Sequence, residues 1–298
     1  MKLKAVKSSK AKQRRIKACG SGSKQPTADQ RGSAQAATIE RLPMSAATPP
    51  LFPHAVARLR AARTALSTRP FLARGGPKGE RCDGCRLRPS HCLCALRPLL
   101  PTRAGMCLLM HDAEPMKPSN TGWLIADVVQ NTSAFGWSRT EVSADLLALL
   151  QDPQWQPYVV FPGEFVEPPE RVIHDLPAAH LHNGKRPLFI LLDGTWSEAR
   201  KMFRKSPYLD DLPVLSLQPE QISRYQLRRS KREDHFCTSE VAALCLELTH
   251  DAQDVHAGQV LEQYLAVYTH HYLQAKNQLL PDTAGEAHAG LRAVLQPS

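Results

Sequence analysis

Residues 186–207 read RPLFILLDGTWSEARKMFRKSP. Five apolar residues, Leu188 to Leu192, have the length and composition of a strand buried on both faces, and the run stops at Asp193. Gly194 follows. Thr195, with Glu198 three residues on, has the spacing of a capping box at a helix start. A buried strand that turns tightly into a helix is the repeating unit of an α/β fold. Two readings of the turn stay open. In one, Asp193-Gly194-Thr195 is a helix entry with Trp196 as its apolar plug. In the other, the strand is a rigid post that holds a carboxylate, a glycine and an indole at a binding site.

The same alternation extends outward on both sides. GMCLLMH (105–111), PYVVFPG (157–163) and LPVLSL (212–217) read as further short strands. SNTGWLIADVVQ (119–130), with a Ser119/Asn120 cap, reads as a helix, as do 238–250 and 257–280. The last of these carries Val260, Leu261, Tyr264, Leu265, Tyr268 and Tyr272 on one broad face. Strands alternating with helices imply a largely parallel sheet with helices on both faces. In such sheets ligands bind beyond the carboxyl ends of the strands. Those ends read HDAEP, PGE, DGTW and QPEQISRYQLR, all polar. Together they describe one pocket, with the Asp193 side chain expected to face into it.

Four of the eight cysteines fall within CDGCRLRPSHCLC: Cys82, Cys85, Cys92 and Cys94. Two close thiolate pairs joined by a short loop suit one tetrahedral zinc ion, in a closed structural site with no open position for a substrate. A disulfide framework is the rival; it fits poorly with a chain that shows no secretory signal. Such a site either folds a segment short of a core of its own or presents Arg81, Arg86, Arg88 and Arg97 to a phosphate backbone. Cys107 and Cys245 sit in apolar runs and read as packing residues.

The charge is unevenly divided. Residues 1–74 hold 16 Lys/Arg against 2 Asp/Glu, and the remainder holds 22 against 26. The basic excess thus lies in an N-terminal arm, 1–74, too polar to offset its ordering entropy and expected to be disordered, apart from a short helical period at Val56, Leu59, Ala62 and Leu66. Such an arm either adds phosphate affinity or is a passive tail. The expected order is the arm, a zinc segment (75–103), a catalytic domain (104–280) and a C-terminal tail (281–298). No run of 18 apolar residues occurs, so no membrane span is expected and the cytoplasm is the default location. No feature calls for a protein partner.

Asp-x-Thr-Trp at a strand-to-helix turn, preceded by C-x2-C-x6-C-x1-C, resembles the DTW-domain family of tRNA-uridine aminocarboxypropyltransferases. The resemblance runs over about 80–275. It includes His111-x-x-Glu114 with Asn120-Thr121, Phe161-Pro162-Gly163, Ala199-Arg200-Lys201, Ser223-x-Tyr225-x-Leu227-Arg228 and Thr238-x-Glu240. It implies a SPOUT-like fold with a deep C-terminal knot, which nothing in the sequence itself shows. It also implies transfer of the 3-amino-3-carboxypropyl group of S-adenosylmethionine to N3 of a uridine in tRNA. In that light Asp193, Thr195 and Trp196 are the catalytic candidates, Asp193 to accept or orient the N3 proton and Trp196 to stack on a base or shape the pocket. The cofactor-binding candidates are His111, Asn120, Thr121, Pro162, Gly163, Gly194, Arg228, Thr238 and Glu240. Arg228 suits a carboxylate or a phosphate; Glu240 suits a ligand or a helix cap; His111 suits a ligand or the core. An S-adenosylmethionine-dependent RNA methyltransferase and a non-catalytic zinc-stabilised RNA-binding protein are the alternatives.

Overall fold

A computed structural model describes residues 54–68, 81–177, 184–218 and 236–296. Most of the basic arm and Arg228 therefore lie outside the described residues. The strands are β1 (Gly105–Met110), β2 (Thr132–Gly136), β3 (Trp155–Val160), β4 (Val172–Ile173), β5 (Arg186–Asp193) and β6 (Val214–Leu215). They pair in parallel throughout, in the order β2-β1-β5-β3-β6-β4. The helices are α1 (Ala55–Ala65), α2 (Gly122–Val128), α3 (Ala144–Gln151), α4 (Trp196–Arg204), α5 (Thr238–Glu247), α6 (Ala252–Lys276) and α7 (Glu286–Leu295).

Period-two alternation along β1 and β5 divides the core into two. Met106, Leu108, Met110, Phe189 and Leu191 point to one face and pack with α1, α2, α5 and α6. Cys107, Leu109, Leu188 and Ile190 point to the other and pack with α3 and α4. Both central strands are thus covered on both faces, which is why they read as unbroken apolar runs. Each fully buried Leu or Phe here contributes ~1.5–3 kcal/mol. The expected face of α6 is buried from Val260 to Tyr268, with Tyr272 half-buried. Cys107 and Cys245 are fully buried, as packing residues should be.

Several expectations need correction. The N-terminal helix forms, but Ala62 and Leu66 are exposed, and its inward face is Ala55, Val56, Ala57 and Arg60. Arg60 turns inward because it donates to the carbonyls of Pro115 and Asp83. The second helix starts at Gly122 without a side-chain cap; the Asn120 amide is engaged elsewhere. Strands β2 and β4 carry too little apolar sequence to be read; pairing with β1 and β6 makes them strands. The stretch read as a C-terminal tail contains α7, whose Leu291 is buried against the core.

The cysteine segment has no core of its own. Cys85, Leu87 and Leu93 are buried in the α2/α6 core. A buried polar knot fastens it there: Asp127, in the last turn of α2 and fully buried, pairs with Arg97, accepts from Tyr264 Oη at 3.0 Å and lies 3.4 Å from His54 Nε2. Arg97 therefore does not face a phosphate backbone. Replacing one partner of such a pair strands the other charge. Arg97→Met is expected to lower unfolding free energy by about 3–5 kcal/mol in urea titrations; a change under about 1 kcal/mol would show the knot to be dispensable.

Candidate functional site

Neighbouring strands β1 and β5 send the chain in opposite directions. After β1 it crosses α2 to β2 on one side; after β5 it crosses α4 to β6 on the other. Crossovers of one hand that diverge in this way fall on opposite faces and leave a crevice beyond the strand ends. The register sets Met110 beside Asp193, and His111 N–H donates to the Asp193 carbonyl at 2.9 Å. The Asp193-Gly194-Thr195 turn thus lies at the switch point of the sheet.

Asp193 shares the face of Phe189 and Leu191, toward α2 and α5, and is 3% exposed. Thr238 Oγ1 donates to its Oδ1 at 2.6 Å and Asn120 Nδ2 to its Oδ2 at 2.7 Å. The same Asn120 amide reaches Glu114 Oε2 at 3.2 Å, and Glu114 pairs with Lys117. Burial pushes the Asp193 carboxyl up to about 6, against these two hydrogen bonds, which favour the ionised form. Gly122 makes the approach of α2 possible: a Cβ there would stand 2.7 Å from Asp193 Oδ2. Thr121 Oγ1 accepts from Ser239 N–H at 3.4 Å, closing α2 on α5.

The capping reading of TWSE is correct. Thr195 Oγ1 accepts from Glu198 N–H at 3.4 Å, and Glu198 Oε2 accepts from Thr195 N–H at 2.7 Å. The Thr195 hydroxyl is thereby committed to the cap, and Glu198 Oε1 lies 3.2 Å from His111 Nδ1. The His111 ring stacks on Trp137 with centroids 5.8 Å apart. Glu240 is likewise a capping residue: its Oε2 accepts from Cys237 N–H at 2.7 Å.

A cavity of about 1050 Å³ opens across the ends of β3, β5 and β6, at the upper end of the ~300–1,000 Å³ usual for ligand clefts. Phe161, Pro162, Gly163, Gly194, Trp196 and Thr238 line it. Asp193, His111, Asn120 and Thr121 do not. The expectation that the Asp193 carboxylate faces this space is therefore corrected: strand alternation turns it toward α2, and Thr238 is its hydrogen-bond link to the cavity. Trp196 is no buried plug. It is 49% exposed and stacks on Phe161 at 5.6 Å.

Sequence reasoning passed over three residues here. Gly122 gave no signal, since its meaning lies in Asp193 crossing to it. Ser216 accepts Gly163 N–H at 2.9 Å on Oγ and so fixes the β3 end. His174 lines the cavity, and its Nδ1 donates to the Ser216 carbonyl at 3.0 Å.

The four cysteines converge, with all Sγ atoms within 4.8 Å of one another. Close pairs stand at 3.5 Å (Cys82–Cys94, Cys82–Cys92) and 3.8 Å (Cys85–Cys92). Tetrahedral thiolates at ~2.3 Å from zinc are separated by about this much. Leu93 N–H donates to Cys85 Sγ at 3.5 Å, the contact a thiolate ligand accepts. The set fits a closed structural metal site.

A family model described as the DTW domain matches residues 79–273. A tRNA-uridine aminocarboxypropyltransferase 2 of Drosophila melanogaster is 28% identical over 176 residues, 56% of this chain and 65% of the relative. The chain thus spans slightly less than two thirds of that relative's length. No solved structure matches the chain. No described helix is long and apolar enough to cross a membrane.

One zinc per chain is expected by elemental analysis of the purified protein. Cys92→Ser should lower both the zinc content and the melting temperature; full stability with no metal bound would show that the thiols suffice by packing alone.

Proposed function

The chain belongs to the DTW-domain family, and from that premise we propose that it is a tRNA-modifying transferase that moves the 3-amino-3-carboxypropyl group of S-adenosylmethionine to N3 of a uridine. The name of its Drosophila relative supports the reaction class. Within this chain, the observation that carries the reading is a cavity whose wall residue, Thr238, is hydrogen-bonded to the buried Asp193.

The lining suits the proposed ligand. Gly163 and Gly194 bring backbone to the cavity surface, and Phe161 and Trp196 offer aromatic faces for adenine or uracil. Bound S-adenosylmethionine supplies an electrophilic γ-carbon: as the N3–C bond forms, the C–S bond breaks, its electron pair stays on sulfur, and methylthioadenosine leaves. The protein's task is to hold N3 in line with that carbon and away from the methyl group. Thr238 Oγ1 is the group of this pair that meets the cavity. It takes the N3 proton while its own passes to Asp193 Oδ1, and a carboxylate with a pKa of about 6 is a suitable acceptor near neutral pH. Asn120 holds the second carboxylate oxygen and so fixes the orientation of the first. Cys82, Cys85, Cys92 and Cys94 would hold a zinc ion that braces the fold, and four thiolates would fill its coordination, so the transfer is assigned to the cavity residues. Kinship with SPOUT-like enzymes belongs to this proposal too, supported by the parallel sheet and the site at its strand ends.

The test is the mass of the product. Incubation with tRNA and S-adenosylmethionine is expected to give an aminocarboxypropyl uridine and methylthioadenosine. A methylated nucleoside with adenosylhomocysteine would replace the reading with a methyltransferase, and tRNA binding with neither product would leave an RNA-binding protein. Thr238→Val and Asp193→Asn should each cut turnover by about 10²–10⁴ with zinc content unchanged. Because Asp193 must be ionised to accept a proton, the wild-type rate should fall as pH drops below about 6. Asp193→Asn should abolish that limb; an unaltered limb would remove Asp193 from the proton path.

A further inference from the structure

The α4 helix carries a feature that the capping box and the cavity do not use. Arg200, Lys201, Arg204 and the C-capping Lys205 stand within six residues. At 100° per residue they share an arc of about 140°, while Ala199, Met202 and Phe203 on the other side are buried. None of the four has a carboxylate within ion-pair distance among the described residues. Beyond the N-terminal arm the chain is net acidic, with 22 Lys/Arg against 26 Asp/Glu, so an unneutralised basic stripe is a local departure.

The stripe is joined to an aromatic platform at the cavity mouth. The Arg200 guanidinium lies 4.7 Å from the Phe165 ring centroid and 6.0 Å from that of Trp196, and Lys201 Nζ lies 5.6 Å from that of Trp137. Trp196, at the first position of the same helix, lines the cavity and is half exposed, with Phe161 and Phe165 packed against its ring. Cations in a row beside an indole backed by other rings form the pairing that single-stranded nucleic acid uses: phosphates along the charges and an unstacked base on the aromatic face. A duplex offers no such base, so the target nucleotide must be in a loop or be turned out of its stack.

We propose that the outer face of α4 is the RNA-docking surface, with phosphates along Arg200, Lys201, Arg204 and Lys205 and the target or an adjoining base stacked on Trp196. This rests on the proposed action on tRNA and adds where the RNA lies and in what form the nucleotide arrives.

The test uses the full-length chain without S-adenosylmethionine. Affinity for a tRNA transcript is measured across a salt series for wild type, the double variant R204Q/K205Q, and the charge-matched control K276Q/R292Q, on α6 and α7, which do not line the cavity. Loss of two phosphate contacts should weaken binding on the order of tenfold at low salt and lower the slope of log K against log salt by about 1.4–1.8. The control should change both much less. Trp196→Ala should weaken binding about tenfold with no change in salt slope, and Trp196→Phe should restore most of it. Equal effects of the α4 and control variants would overturn the docking surface, and unchanged affinity in Trp196→Ala would overturn the base contact. Vesicles with anionic lipid form a parallel arm; loss of vesicle binding with tRNA affinity intact would assign the stripe to a membrane surface instead. Absence of a modified nucleoside would defeat the proposed reaction but would leave these affinities to decide the docking surface alone.

Discussion

The parallel pairing of β1 with β5 is the constraint on which the site depends. Six consecutive residue pairs run from Gly105↔Leu188 to Met110↔Asp193, with apolar side chains alternating onto two covered faces. A slip of one residue would exchange those faces and move Asp193 from α2 and α5 to the side of α4. Burial on both sides makes that exchange costly, so the carboxylate is placed by the packing of residues up to five positions away. Divergence of the chain from these two strand ends then opens the crevice.

Asp193 shows how a fold shifts the role of a residue. Removed from water, its carboxyl is raised to about 6, yet two donors hold its oxygens in one orientation. Those donors come from segments 73 and 45 residues away in sequence. Each is fixed in turn: Asn120 by Glu114, and Thr238 by its place in the first turn of a capped helix. The arrangement is a buried polar network in which both Asp193 oxygens are hydrogen-bonded, while Asn120 Oδ1 has no hydrogen-bond partner among the described residues. Such networks favour one geometry because each lost hydrogen bond is expensive. The cavity side of the network is the Thr238 hydroxyl, so the buried carboxylate is linked to the ligand space through an uncharged group.

The cysteine segment and the parallel sheet share one core. The segment supplies Leu87 and Leu93 to the larger core, and Arg97 meets the buried charge of Asp127. His91 ties it to the far end of α6 as well, with Nε2 2.7 Å from the Leu279 carbonyl oxygen and its own carbonyl 3.0 Å from His271 Nδ1. A metal in the four-thiolate set would therefore stabilise α2 and α6 at a distance from the cavity, by holding the loop that packs on them.

The sequence by itself determined what depends on local order. The apolar runs of β1, β3 and β5 and the Thr195/Glu198 box are legible because strand burial and helix capping act within a few residues. The cysteine spacing is legible for the same reason, since two close pairs can reach one ion across a short loop. Tertiary structure alone decided the direction of Asp193, the task of Asn120 and the need for glycine at Gly122, because each depends on a partner far along the chain. It likewise turned Arg97 inward and left Trp196 at the surface. A residue's neighbours in space decide whether a charge or an indole is buried, and sequence spacing carries no record of them.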